Sequence, residues 1–188
     1  MSVEVAPIRP LNHPARRTSH MYLEFDREIY LGKDSAASIY VHCPIEIGVF
    51  LAGDSGRDSL DWISCNKDDS RFGLYGPPDT GVLCKYAQAP LATGYGDSRP
   101  YADGVMKIVL ENTLKTGQTV RKVVFPITDN SLYYQGNQAI FDGMHVTLKK
   151  RATVSVADIK ISPVETDWTK SPAWEDTTVS TAMEMGLE

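Results

Sequence analysis

Tyr40-Val41-His42-Cys43-Pro44-Ile45-Glu46-Ile47-Gly48-Val49-Phe50-Leu51 is a run of β-branched, aromatic and aliphatic residues split by one proline. Residues 38–43 and 45–52 each have the length and composition of a strand. Proline cannot donate to a ladder, so Pro44 between them predicts a bulge or a strand switch at a sheet edge. Working outward, residues 22–31 predict a strand kinked at Asp26 and closing at Gly32. Residues 82–86, 105–110, 120–127, 132–134 and 139–141 predict further strands, with Lys115-Thr116-Gly117-Gln118 as a turn. In 144–148, Met144, Val146 and Leu148 alternate with His145 and Thr147, the mark of a half-buried strand. Residues 53–80 and 90–104 are rich in Gly, Asp, Ser and Pro and read as loops with short apolar islands at Trp62-Ile63 and Phe72-Gly73-Leu74-Tyr75. No segment has the pattern of a strong helix. The chain reads as an all-β, two-sheet sandwich rather than a barrel.

The totals agree with one domain carrying extensions. The 188 residues are 42% hydrophobic and 23% charged, with a mean hydropathy of -0.25, too apolar for wholesale disorder. The net charge of -5 is concentrated at the back. Residues 163–188 hold Glu165, Asp167, Glu175, Asp176, Glu184 and Glu188 against Lys170, which accounts for the whole excess. Residues 1–20 carry Pro7, Pro10 and Pro14 with Arg9, Arg16 and Arg17 and read as an extended arm. The expected organisation is an arm over 1–20, a sandwich over 21–162 and an acidic, flexible tail over 163–188, docked through Trp168 and Trp174. No basic face argues for nucleic acid, and no apolar run is long enough to span a membrane.

The opening Met-Ser-Val-Glu has no leader pattern. It fits a cytosolic chain, or a mature secreted form whose leader was replaced by a start methionine. Cys43, Cys65 and Cys84 lack Cys-x-x-Cys spacing. The expectation is one disulfide among them with one thiol left over, the alternative being three buried reduced thiols. A bridge closing about twenty residues contributes roughly 3 kcal/mol in the chain-entropy model.

Residues 152–161 (Ala-Thr-Val-Ser-Val-Ala-Asp-Ile-Lys-Ile) alternate, slip phase at Ala157-Asp158 and alternate again. They predict a strand with a one-residue bulge lying along a groove. Catalytic chemistry finds little support. Gly53-Asp54-Ser55-Gly56 matches a serine-protease signature, but turn chemistry explains it and no histidine and aspartate are placed to complete a triad. Asp54, Asp58, Asp61, Asp68 and Asp69 lack the EF-hand order, and the four histidines have no paired spacing. We therefore expect no catalytic residues, no cofactor-binding residues, no metal and no cofactor.

Several segments in order resemble the pilin-like subunits of bacterial chaperone–usher fimbriae. They are Val3-Glu4-Val5-Ala6-Pro7-Ile8-Arg9-Pro10, Ile29-Tyr30-Leu31-Gly32, Ile39-Tyr40-Val41-His42-Cys43, the aspartate-rich loop from Asp54 to Ser59, Arg71-Phe72-Gly73-Leu74, and Phe141-Asp142-Gly143-Met144-His145-Val146-Thr147-Leu148. The resemblance implies an immunoglobulin-like sandwich that lacks its last strand and is completed by an added donor strand, first from a periplasmic chaperone and then from a neighbouring subunit. It implies a structural subunit or tip adhesin on the bacterial cell surface, with a host receptor as a further partner. Donor candidates are Val3, Val5 and Ile8 at the front and Val154, Val156, Ile159 and Ile161 at the back. The back segment would complete the sandwich and leave the front arm to insert into the next subunit. Such subunits also pair an early cysteine with one on the next strand, and here no cysteine precedes Cys43, so a bridge must use Cys65 or Cys84. The alternative is a virus or phage structural protein (coat, decoration or tail) with a jelly-roll-like sandwich, and a third reading is a glycan-binding module using Tyr95, Tyr101, Tyr133 and Tyr134.

Overall fold

The computed structural model describes residues 1–12, 17–54, 56–66 and 71–174. In chain order the strands are β1 (Ser2–Ile8), β2 (His20–Leu31), β3 (Ser35–Pro44), β4 (Glu46–Gly53), β5 (Gly56–Ile63), β6 (Phe72–Tyr75), β7 (Val82–Ala89) and β8 (Leu91–Ala92). They continue with β9 (Asp103–Asn112), β10 (Gln118–Pro126), β11 (Leu132–Gln135), β12 (Gln138–Phe141), β13 (Gly143–Arg151), β14 (Val154–Ser162) and β15 (Thr169–Lys170). Apart from two single 3-10 turns, no helix is present among the described residues.

The strands form three sheets in a sandwich-like arrangement. A four-stranded sheet runs β10-β2-β7-β6, and a large sheet is built around β9. β9 pairs antiparallel with β3 along one side; on the other it pairs in parallel with β12 and then β13. β11 and β15 extend the large sheet beyond β12, β14 lies outside β13, and β8 lies outside β3. These two sheets enclose the main core. Met21, Leu23 and Phe25 of β2 and Val123 and Phe125 of β10 pack with Val41 and Cys43 of β3, Ile108 and Leu110 of β9, and Met144 and Val146 of β13. In β2, β10 and β13 the inward residues alternate with exposed or half-exposed ones, as a period of two requires, whereas in β3 His42 between Val41 and Cys43 is buried as well.

The third sheet, β1-β4-β5, is small and wholly antiparallel. Pro44 and Ile45 create it. β3 ends at Pro44 in the large sheet and β4 begins at Glu46 in the small one, so the interruption expected at the proline is a change of sheet. The kink suggested at Asp26 also has a counterpart. The β2–β10 register breaks between Glu24 and Ile29.

Two expectations fail. β14 contains no bulge, because its pairing with β13 is continuous from Arg151↔Val154 to Gly143↔Ser162 around a two-residue turn. The phase slip in the sequence places residues of β14 on opposite faces instead. Val154 and Val156 share a face with Asp158, while Ile159 and Ile161 lie on the other and pack against the core. The region 53–80 also holds more strand than its composition suggested, since β5 is eight residues long. Its alternation is weak because β5 is an exposed edge carrying Asp58 and Asp61.

The arm and the first part of the tail lie on the body. β1 pairs with β4 of its own chain over seven residues. Ser171 N donates to Leu132 O at 2.7 Å, and the Ser171 hydroxyl donates to Pro7 O. Residues 175–188, with four of the six tail acids, fall outside the described residues. Asp142 ties these parts together where it separates β12 from β13. Its carboxylate accepts from Ser131 N at 2.9 Å and from Val164 N at 3.0 Å. Gly143, next in the chain, has no room for a side chain: a Cβ there would lie 2.9 Å from Lys107 O.

Candidate assembly surface

The small sheet has two unlike faces, set by antiparallel register, in which directly opposed residues point the same way. Ala6, Ile8 and Phe50 form a buried cluster on one face, with Trp62, Tyr134 and Trp174 packed against it. The Phe50 and Trp174 rings meet edge-on, with centroids 5.7 Å apart. Gly48 is required under this cluster, because a Cβ there would sit 2.7 Å from the Phe50 ring and 3.0 Å from Ile8. On the same face Arg57 of β5 reaches across β4 to Glu4 of β1, with Nε donating at 2.6 Å and Nη2 at 2.8 Å. This exposed fork contributes at most about 1 kcal/mol but fixes the order β1-β4-β5.

The opposite face is open at its outer end, where Asp58 opposes Leu51 and Asp61 opposes Val49, and buried at its inner end, where Pro7 opposes Ile47. Val3 opposes Leu51 and Val5 opposes Val49, and Ile63 of β5 opposes Ile47. Val3 is 66% exposed, Val5 58% and Ile63 52%. Contiguous aliphatic side chains on one sheet face mark an interaction surface more often than isolated exposed apolar residues do. β1 is also an edge strand, so the outer half of its backbone donors and acceptors has no ladder partner among the described residues.

A buried ion pair welds this sheet to the four-stranded one. Glu46, the first residue of β4, is 0% exposed, and Lys85 of β7 is 1% exposed, with Nζ 3.2 Å from Oε1. The Glu46 carboxylate also accepts from Asn12 N at 3.0 and 3.1 Å and from Asn12 Nδ2 at 2.8 Å. The sequence reading passed over both residues, although a lone glutamate inside the apolar run Pro44-Ile45-Glu46-Ile47 is itself a sign of a buried partner.

The candidate donor residues therefore divide. At the front, Ile8 is buried while Val3 and Val5 point outward from a strand already paired in its own chain. At the back, Ile159 and Ile161 are partly buried on the core and Val154 is 62% exposed. The four rear side chains do not share one groove. On the outer face of this hairpin Lys149 Nζ lies 2.7 Å from Asp158 Oδ2. This bond, first, and the lysine charge hold the Asp158 carboxyl below its ordinary value of 3.8. A depressed carboxyl stabilises the folded state fully above the unfolded-state value and loses that contribution as pH falls through the folded one. Thermal melts of wild type and Asp158→Asn should therefore differ at pH 6 and converge as the pH falls below the ordinary carboxyl range and through the lowered folded-state value. A gap that persists at low pH would assign the effect to packing instead.

The expected disulfide does not form. Cys43 lies in β3 of the large sheet, Cys84 in β7 of the four-stranded sheet, and Cys65 just beyond β5 of the small sheet. Cys43 and Cys84 are buried and Cys65 is exposed, so the three are distributed over three sheets, whereas a bridge needs Cα atoms about 4.4–6.8 Å apart. Burial pushes the Cys84 thiol up, and its Sγ donates to Val82 O at 3.3 Å.

The remaining candidates also fall into place. Gly53 and Gly56 face each other across the β4–β5 hairpin turn, and Ser55 lies outside the described residues, as do Asp68 and Asp69. Among the described residues no three His, Cys, Asp or Glu side chains converge as a metal site would need. Tyr95 stacks edge-on with Tyr40, and Tyr134 belongs to the Phe50 cluster, so these tyrosines do not form one platform. His42 proved less isolated than its spacing suggested. Its Nδ1 is 3.0 Å from Asp103 Oδ1, and its Nε2 is 3.9 Å from Asp97. Hydrogen bonds from Thr93, the backbone N–H first, lower the Asp97 carboxyl. The 61-residue separation of His42 and Asp103 left no local signal of the pairing.

Fold and surface together define an all-β, sandwich-like protein with an added small sheet that exposes Val3, Val5 and Ile63 on one face. The chain belongs to the DUF432 family, described as a protein of unknown function, whose match covers residues 1–185 and so includes both flanks along with the body. No curated protein and no solved structure matches the chain.

Proposed function

We propose that this protein is a non-catalytic structural subunit that associates with further copies of itself by exchanging β1, the donor-strand logic of the chaperone–usher subunits its sequence resembles. The observation that carries this reading is β1 itself. It is a seven-residue edge strand, and among the described residues β4 is its only ladder partner. It is held by buried Ala6, Pro7 and Ile8, the Glu4–Arg57 fork and the Ser171–Pro7 bond, while Val3 and Val5 face solvent. A strand with those properties can leave β4 of its own chain and pair with β4 of a neighbour in the same register, at little net cost once both copies exchange. In its fimbrial form, the sandwich is immunoglobulin-like and strand-completed, its partners are neighbouring subunits and a periplasmic chaperone, and it works at the bacterial surface. Three parallel pairings (β2–β7, β9–β12 and β9–β13) weigh against that finer form, since immunoglobulin sheets are antiparallel.

The test uses the Val5↔Val49 pair. Val5→Cys and Val49→Cys are made as separate chains in a Cys65→Ser background, mixed at high concentration and oxidised. Exchange predicts a disulfide-linked heterodimer that neither single variant forms alone. A cross-link seen only within one chain carrying both substitutions would refute it.

A second reading, an intracellular structural protein such as a virus or phage coat, decoration or tail component, is favoured by one observation. Three cysteines without a disulfide suit a reducing compartment.

A further inference from the structure

We infer that β14 is a docking edge for β14 of a second copy, the two strands pairing antiparallel about a two-fold axis at Ile159. β14 is the outermost strand of the large sheet on its side, and among the described residues β13 is its only ladder partner. The segments that flank it, residues 143–153 and 163–174, are described throughout, and neither adds a strand to its outer side. Natural sheet edges are blunted by shortness, proline, bulges or charge. β14 is nine residues long, meets no proline before Pro163, and pairs with β13 without a register shift. Only charge is left as protection, in Asp158 and Lys160, and these two have opposite signs.

The direction of the backbone groups follows from the hairpin. Ala152, with a φ of 55°, and Thr153 form a two-residue turn, so Arg151 and Val154 close it by exchanging both backbone bonds. By alternation Val156, Asp158 and Lys160 also give their backbone groups to β13. Ser155, Ala157, Ile159 and Ile161 therefore turn their N–H and C=O groups away from it. An antiparallel strand centred on Ile159 takes up that outward set. Ile159 then stands opposite Ile159 of the second copy, and Ala157 opposite its Ile161.

Charge complementarity selects this register and this occupant. With the axis at Ile159, Asp158 of each copy opposes Lys160 of the other, in non-hydrogen-bonded pairs, where opposed side chains are closest. Lys149 Nζ lies 2.7 Å from Asp158 Oδ2, which leaves Oδ1 for the second cation. An axis at Asp158 or at Lys160 would set like charges directly opposite, which destabilises a sheet. An axis at Ala157 would oppose Ile159 with Ser155 and Val156 with Asp158. On the core-facing side Ile159 and Ile161 are only partly buried and Ala157 is exposed, so the second strand also extends the apolar row at the sheet margin. The surface is self-complementary, as a two-fold dimer requires. It does not depend on exchange of β1.

The test is sedimentation equilibrium of the full-length protein over a micromolar concentration series. A pairing of this size predicts a reversible monomer–dimer step. Asp158→Lys and Lys160→Glu should each weaken that step tenfold or more, because each sets like charges opposite in both pairs. An equimolar mixture of the two variants should associate again as a heterodimer, since the introduced lysine then faces the introduced glutamate and the native Lys160 faces the native Asp158. Ala157→Pro, which removes an outward N–H and no bond to β13, should abolish the step. Lys33→Glu, in the turn between β2 and β3, should leave it unchanged. Lys160 is exposed, so Lys160→Glu folds normally and keeps the test decisive if Ala157→Pro does not fold. A wild type that stays monomeric at about 1 mM, association that survives both Lys160→Glu and Ala157→Pro, or a mixture no tighter than either variant alone overturns the assignment. Surviving association that also yields the Val5–Val49 cross-link belongs to β1 exchange, so the two interfaces are scored apart.

Discussion

Replacing Lys85 with alanine should destabilise the protein by about 3–5 kcal/mol, the cost of breaking a buried ion pair by removing one partner. Glu46 is fully enclosed, and the substitution takes away the Lys85 ammonium while leaving the Asn12 N and Nδ2 donors in place. In a chain of this length such a loss lowers the melting temperature by about 10 °C. The double variant Glu46→Gln/Lys85→Met should recover much of it, because a neutral amide keeps the Asn12 side-chain contact and no broken ion pair is left in the interior. The recovery distinguishes an electrostatic weld from a packing defect. A Lys85→Ala protein melting within about 2 °C of wild type would show that the pair does not hold the small sheet in place.

Truncation after Arg151 should be more damaging still. It removes the nine-residue β13–β14 pairing, the inward Ile159 and Ile161, the Val164–Asp142 bond, β15 and the Phe50–Trp174 contact. The two isoleucines alone contribute roughly 1–1.5 kcal/mol each when half-buried, and β13 becomes an open edge beside exposed core. The expected loss exceeds about 5 kcal/mol, most of the stability of an ordinary domain. Denaturant unfolding and light scattering would register it as loss of the cooperative transition or as aggregation. A truncated chain that unfolds with an unchanged midpoint would show that residues 152–188 are an appendage.

The strands were legible where one face is buried and the other wet. Met144, Val146 and Leu148 announce β13 because their alternation is the core pattern itself. β5 was not legible as an eight-residue strand, because an exposed edge imposes no alternation and tolerates Asp58 and Asp61. The turn at 115–118 was recognised, yet its consequence was not. It carries the chain from β9 in the large sheet to β10 in the four-stranded one, whereas a hairpin would have kept both in the same sheet. For the candidate surface, Val3 and Val5 were singled out as donor-strand candidates on an extended arm, but which chain their strand pairs with is a matter of register with residues 46–52.

Local chemistry by itself determined that this chain is all-β, where most of its strands lie, and that Pro44 breaks one run into two, because hydrophobic alternation and proline act over a few residues. Only the tertiary structure decided that the two halves of that run enter different sheets, that Glu46 meets Lys85, that the cysteines lie apart, and that His42 meets Asp103. Those pairings join residues tens of positions apart. They are settled by which faces must be buried together, a property of the whole packed molecule.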